Sequence, residues 1–456
     1  MRGSVSYRLA RIAGILLFLV LVGCATPTQS PAPTLALTPM PGPASAATLV
    51  PVVVWTLQVG SSDWDRGNGV AVDGSGNVVV AGATLGALPG QTNAGSWDIF
   101  ACKCSPAGVE LWVYQSGSSG SDGALATAVD ASGNVILVGH TDGTLPGQAN
   151  AGYDDAFVRK LSPAGAELWT LQFGSSAPDW ACGVAVDASG NIILAGATDG
   201  TLPGQTSAGG EDAFVRKLSP AGAELWTLQF GSSTLDRATG VAVDGSGNIL
   251  VIGNTDGTLP GQTNAGYDDA FVRKLSPAGD ELWTSQFGSP DTDRANGVTA
   301  DGTGDIFVAG YTDGTLPGQT FAGAWDAFVR KLSPAGTELW TRQFGTSLSD
   351  EAFGVAVDRG GNAFVAGGTE GALPGQTRAG AWDVFLRKLS PAGAELWTSQ
   401  FGSSESDGVT GVAVDGTADV FVVGHTYGTL PGQNNTGSWD AFVVHLAQQS
   451  ASGPPG

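Results

Sequence analysis

Short runs of alternating apolar and polar residues, cut by Gly, Pro, Ser and Asp, recur along most of this chain. Between residues 183 and 230 the pattern reads as four strands. Gly183-Val-Ala-Val-Asp187 predicts a first strand, a, and Ala188-Ser189-Gly190 a turn in which Gly190 is free to take positive φ. Asn191 to Thr198, rich in Ile and Leu, predicts strand b, and Asp199 to Glu211, with its Leu-Pro-Gly-Gln, a long loop. Asp212 to Leu218 alternates as strand c, Ser219-Pro-Ala-Gly222 turns, and Glu224 to Phe230 forms strand d around Trp226.

This unit repeats every 57 residues: Trp55, Trp112, Trp169, Trp226, Trp283, Trp340 and Trp397 keep that step without an insertion. The series from Asp65 to Asp407, Asp73 to Asp415, Gln91 to Gln433, Asp98 to Asp440 and Phe100 to Phe442 keep it too. Seven units of four antiparallel strands predict an all-β fold, a seven-bladed β-propeller spanning residues 52–447. An open solenoid would need atypical capping repeats, and neither end has one. The chain enters on strand d at Trp55 and leaves on strand c near Phe442 and Leu446, so the first strand d is expected to complete blade 7 and close the ring.

The first residues carry a different pattern. Arg2, Arg8 and Arg11 precede an apolar run, Ile12 to Val22, that ends in Leu21-Val22-Gly23-Cys24. This is the charge order of a secretory signal, over residues 1–23, and the small residue before a cysteine resembles the lipobox of bacterial lipoproteins. The resemblance implies cleavage before Cys24, lipidation of its thiol, export, and membrane contact through that lipid only. The expected location is the cell envelope, on the outer membrane where the host has one and otherwise on the outer face of the cytoplasmic membrane. Residues 24–51, with seven prolines from Pro27 to Pro51, predict an extended tether reaching about 80 Å at full stretch. Residues 448–456 are expected to be a disordered tail.

The unit Gly-Val-Ala-Val-Asp-x-x-Gly-Asn followed by Asp-Ala-Phe-Val-x-Lys-Leu resembles the SBBP-type bacterial β-propeller repeat. That resemblance implies the fold and no shared reaction. The turn Gly222-Ala-Glu-Leu-Trp226 also looks like the tryptophan-docking hairpin of pyrroloquinoline-quinone propellers. Those usually have eight blades and adjacent cysteines, which this chain does not match.

Charge narrows the partners. The formal charge is −22; without the three signal arginines, 17 basic residues face 42 acidic ones, or −25. Such a surface repels phosphate backbones, so no nucleic-acid partner is expected. Cys102 and Cys104 share one strand in poor geometry for bridging, and Cys102-Lys103-Cys104 lacks a second ligand pair for zinc. Rings of carboxylates could ligate calcium, but no unit has the dense Asp-x-Asp-x-Asp spacing, so no cofactor is expected.

Residues present in every unit suit architecture, because one site needs one constellation rather than seven copies. The Trp55 series is expected to pack between blades, the Asp73 series to accept bonds from its own turn, and Lys217 to pair with Glu224 across the c–d turn, as from Lys103/Glu110 to Lys388/Glu395. Loops b–c and d–a emerge on one face, and the positions that differ between units gather there. Before the strand c aspartate stand Trp97, Asp154, Glu211, Asp268, Trp325, Trp382 and Trp439, so an acidic sector in blades 2 to 4 is expected. Tyr153, Tyr267, Tyr311 and the loop residues Trp64 and Trp180 add aromatics. Trp97, Tyr153, Tyr267, Tyr311, Trp325, Trp382 and Trp439 are the candidate ligand-binding residues, since rigid rings stack on sugars or apolar groups. No G-x-S-x-G, H-E-x-x-H or P-loop occurs, and His140, His425 and His445 are the only histidines. The expected function is a non-catalytic, surface-anchored, monomeric binding scaffold for an extracellular glycan, polymer or protein. A carbohydrate-active enzyme using rim carboxylates and a purely structural envelope protein are the alternatives.

Overall fold

The computed structural model describes residues 49–450, so the signal, Cys24 and most of the tether lie outside the described residues. The described residues form seven four-stranded antiparallel sheets without a helix. The blade read above comprises Asp179–Val186, Ile192–Thr198, Asp212–Leu218 and Glu224–Phe230, paired in chain order. The first strands of all seven sheets line one cavity of about 400 Å³, which marks the axis.

Strands b and c are buried along their whole length because neighbouring blades cover both of their faces. Each hydrophobic cluster joins two blades: Ile136, Val138 and Val158 of blade 2 meet Ile192, Leu194 and Phe214 of blade 3. Burying a side chain the size of Phe214 contributes about 1.5–3 kcal/mol. Val78, Val80 and Phe100 of blade 1 meet Phe421, Val423 and Val443 of blade 7 in the same way. The fourth strand of the seventh sheet is Leu49–Val59, antiparallel to Asp440–Ser450. Both strands outrun the expected limits of 52 and 447. Pro51 lies on this edge strand, the place in a sheet where proline is tolerated.

Strand a also begins earlier than the pattern suggests, at Asp179 rather than Gly183. A bulge between Ala181 and Gly183 breaks the alternation and hides the first turn of pairing. Past the bulge, innermost strands approach backbone to backbone. A Cβ on Gly183 would lie 2.9 Å from the Cα of Gly240 in the next blade.

The repeated polar residues form one frame. Gln229 Nε2 donates to Gly200 O (2.9 Å) and to Asp212 Oδ2 (2.8 Å), while its Oε1 accepts from Leu202 N. Gln205 Oε1 accepts from Gln229 N, which is why Leu-Pro-Gly-Gln recurs in every long loop. Asp236 Oδ2 accepts from the amide and hydroxyl of Ser232, tying the d–a loop to the next blade. The indole N–H of Trp55 donates to Pro106 O, and a Cβ on Gly108, at φ 77°, would press on its ring. From Trp55 to Trp340 the tryptophan series therefore docks each outer strand on the c–d turn of the following blade.

The expected Lys217–Glu224 pair is not formed. Lys217 Nζ lies 2.9 Å from Asp187 Oδ2, with both groups buried, and Glu224 meets Arg216. Register explains it: Lys217 stands opposite Trp226 and Leu218 opposite Glu224, so lysine and glutamate face opposite sides of the sheet. Burial works against the charge of Asp73, but Lys103 and the turn N–H groups outweigh it and hold its pKa at about 2.

Two outcomes follow from this frame. Deleting residues 49–59 should strip blade 7 of its outer strand and expose an edge, giving a large drop in melting temperature and aggregation on heating; unchanged melting would show that the strand is dispensable. Burial raises the pKa of Asp236, with Asp212 adding to it. A raised folded value means stability is fully present below the unfolded value of 3.8 and is lost as pH rises through the folded one. Asp236→Asn does not titrate at this position, so wild type should gain stability relative to it as pH falls from 7 to 4, measured by calorimetry.

Candidate functional site

On the long-loop face the register aligns three columns that vary between blades. The first follows the opening aspartate of strand a: Arg66, Gly123, Trp180, Arg237, Arg294, Glu351 and Gly408. The second is its partner on strand b: Ala83, His140, Ala197, Asn254, Tyr311, Gly368 and His425. The third precedes strand c and runs from Trp97 to Trp439. Size is complementary across the first two in five blades: His140 and His425 pair with glycines, Trp180 and Arg66 with alanines, and Glu351 with Gly368, whereas Arg237 faces Asn254 and Arg294 faces Tyr311.

The seven candidate aromatics are divided by the structure. Tyr153 and Tyr267 are 75% and 76% exposed, out on the loops, and stack on no other ring among the described residues. Tyr311 is buried beneath Trp325, their rings 5.0 Å apart and nearly parallel, and its hydroxyl accepts from Arg294 at 3.3 Å. Trp325 keeps 36% of its surface. Trp382 covers Gly368, where any Cβ would collide with its indole. Trp439 packs against His425 (4.5 Å), Tyr427 and Trp64 across the blade 7–blade 1 junction. Trp97 is half-buried, with the Arg66 guanidinium 5.5 Å from its ring. Trp180, expected in a loop, lies in strand a, with Arg237 5.6 Å from its ring.

The acidic sector is largely neutralised. Glu211 receives Arg237 through two bonds, and Asp268 receives Arg294 at 2.9 Å and Asn254 at 2.9 Å. These groups wall a cavity of about 270 Å³. Each carboxylate comes from the blade before its arginine, so the pairs also fasten blade to blade. Burial raises Glu351 to about 7, with Glu370 adding and Arg294 opposing. Burial, with Arg66 adding, lowers His425 to about 4, and burial lowers His140 against the pull of Asp154, Asp122 and Asp142. Both rings are therefore uncharged at neutral pH. Among the described residues no group of three or more His, Cys, Asp or Glu is placed to hold a metal.

The arginines and Glu351 were absent from the sequence candidates. Their signal was present: the residue after an invariant aspartate changes from blade to blade while its neighbours hold. Arg237→Met should leave Glu211 buried and unpaired, lowering stability by about 1–3 kcal/mol. Adding Glu211→Gln should restore most of that loss in urea unfolding, and a double variant no better than the single one would deny the pair this role.

Residues 225–260, 282–317 and 339–373 match the β-propeller repeat family SBBP. Each match runs from one outer strand into the next blade's first two strands. The regulatory protein FlaEY of Caulobacter vibrioides is 26% identical over 372 residues, 72% of this chain and 38% of that protein. The chain thus spans little more than a third of that relative's length. Among solved structures, the Pan2 WD40 domain of Neurospora crassa has a TM-score of 0.49 at 11% identity, covering 90% of this chain and 98% of that one. The polysaccharide lyase Uly1 has 0.49 at 10%, covering 83% and 89%. The chain is a seven-bladed β-propeller, three stretches of which match the SBBP β-propeller repeat.

Proposed function

We propose that the protein is a non-catalytic binding scaffold that offers its long-loop face to an extracellular glycan, polymer or protein. One observation carries this reading: residues shared by all blades are used up in the frame, whereas those that differ converge on one face around the axis. That face mixes half-exposed indoles with arginines, which suits stacking on sugars and pairing with polar groups. Lipidation at Cys24, export and the tether belong to the same proposal, since an anchored ring would hold this face away from the lipid.

A hydrolytic reading has one feature in its favour. Glu351, with its pKa near 7 and Glu370 beside it, is a carboxylic acid suited to proton donation at neutral pH. Turnover of a polysaccharide panel, lost in Glu351→Gln, would support an enzyme; no turnover leaves the scaffold.

The test of binding is an array of glycans and envelope polymers probed with the full chain and with a Trp325/Trp382/Trp439→Ala variant. Wild type should be retained on at least one polymer, and the variant should lose about tenfold or more in affinity. Silence from folded wild-type protein on every glycan, polymer and envelope extract would falsify the binding role.

A further inference from the structure

The three arginines of the innermost strands are not equivalent. Arg237 and Arg294 meet carboxylates that the preceding blade supplies just before its third strand. Ahead of Arg66 that position is Trp439, and among the described residues Arg66 has no carboxylate partner. Its guanidinium instead lies 5.5 Å from the Trp97 ring and 5.8 Å from that of Trp64.

Beside Arg66 opens a cleft of about 260 Å³, lined among others by Trp97, Ser121, Gly123 and His140. Its room comes from small residues. Gly123 stands where the next three blades carry Trp180, Arg237 and Arg294, and Ala83 stands where Asn254 or Tyr311 would reach in. His140 leans over the glycine: a Cβ on Gly123 would lie 3.6 Å from its Cε1. The Nδ1 of His140 is buried and has no partner among the described residues, and the same is true of His425. Asp122, Asp142 and Asp154 surround His140 on the blade 2 side. Asp122 is satisfied by Ser118, and Asp142 accepts from Ser121 N.

We propose that this cleft is a subsite for the carboxylate of an acidic sugar, with Arg66 as its anchor and Trp97 as the stacking face. The inference rests on the binding role given to the long-loop face and names the chemistry that face takes. A guanidinium fork matches one carboxylate in a plane, and the adjoining indole matches the flat side of a sugar ring. A chain of net charge −22 repels dense polyanions, so one cation beside aromatics suits a sugar with a single charge per residue rather than a sulfated or phosphate polymer.

The experiment titrates the full chain, in detergent micelles, with oligogalacturonate, its carboxyl-reduced counterpart and dextran sulfate. Oligogalacturonate should bind at least tenfold more tightly than the reduced chain. Arg66→Gln should close that gap and Arg66→Lys keep part of it, with melting unchanged because the side chain is exposed. Equal affinity for the two oligosaccharides, or a preference that survives Arg66→Gln, overturns the carboxylate subsite and leaves the scaffold role standing. Dextran sulfate binding more tightly through Arg66 overturns the sugar-carboxylate assignment. Failure of both oligosaccharides to bind folded protein also overturns it, and the binding role falls with it only if the polymer array is silent too.

Discussion

Backbone meets backbone where the innermost strand of one blade runs against that of the next. Gly69, Gly183, Gly240, Gly297, Gly354 and Gly411 occupy this seam, and blade 2 places Ala126 there. A side chain on Gly297 would come within 2.9 Å of Val355 N. Seven blades can converge on one narrow axis only if this position stays small. Each bulge sits directly before the seam, so the same local irregularity that lets the strands meet also turns one residue toward the axis. Asn68, Thr239, Asn296 and Thr410 use that turn to donate to a carbonyl of the following blade. Leu125, Cys182 and Phe353 cannot, so the axial ring of bonds is incomplete and the hydrophobic contacts between blades carry the assembly.

Around that axis the polar frame does a separate task. A buried lysine–aspartate pair such as Lys217–Asp187 gains little net stability, because desolvation offsets most of the attraction. What it fixes is register, since only one alignment lets the lysine of strand c reach the aspartate of the a–b turn. The Gln229–Asp212 bond works likewise on the other face, holding the long loop at a set height above the sheet. Those two layers make each blade nearly identical up to the rim and leave the rim free to differ.

Much of the fold was legible because the repeat is undisturbed and each turn has its own chemistry: Asp-x-x-Gly after strand a, Ser-Pro-Ala-Gly after strand c. The Lys217 assignment failed because closeness across a turn says nothing about which side of the sheet a residue faces, and the bulge between Lys217 and Leu218 shifts the opposing register by one. The first four residues of strand a were missed because the Cys182 bulge breaks the period-two pattern. With them went Arg66, Arg237, Arg294 and Glu351. Candidate aromatics were chosen by type, and type alone cannot separate Tyr153, open to solvent, from Tyr311, buried under Trp325.

The complementary sizes of the first two rim columns suggest how such a face diversifies without cost to the ring. In five blades one large group fills the space above strand a, and it comes from strand a itself, as with Trp180, or from strand b, as with His425 over Gly408; in the other two Arg237 faces Asn254 and Arg294 faces Tyr311. Filling from strand b brings an imidazole toward the axis; filling from strand a brings an indole or guanidinium. Neither choice touches the glycine seam four residues into the strand, the Asp–Gln bond or the inter-blade core. The rim can therefore vary one blade at a time, and the resulting surface is asymmetric although every blade beneath it is alike. In an acidic protein whose lysines are mostly spent in buried pairs, this layer is where positive charge reaches the surface beside aromatic rings. That juxtaposition belongs to the rim and to no single repeat, which is why a reading of one unit does not contain it.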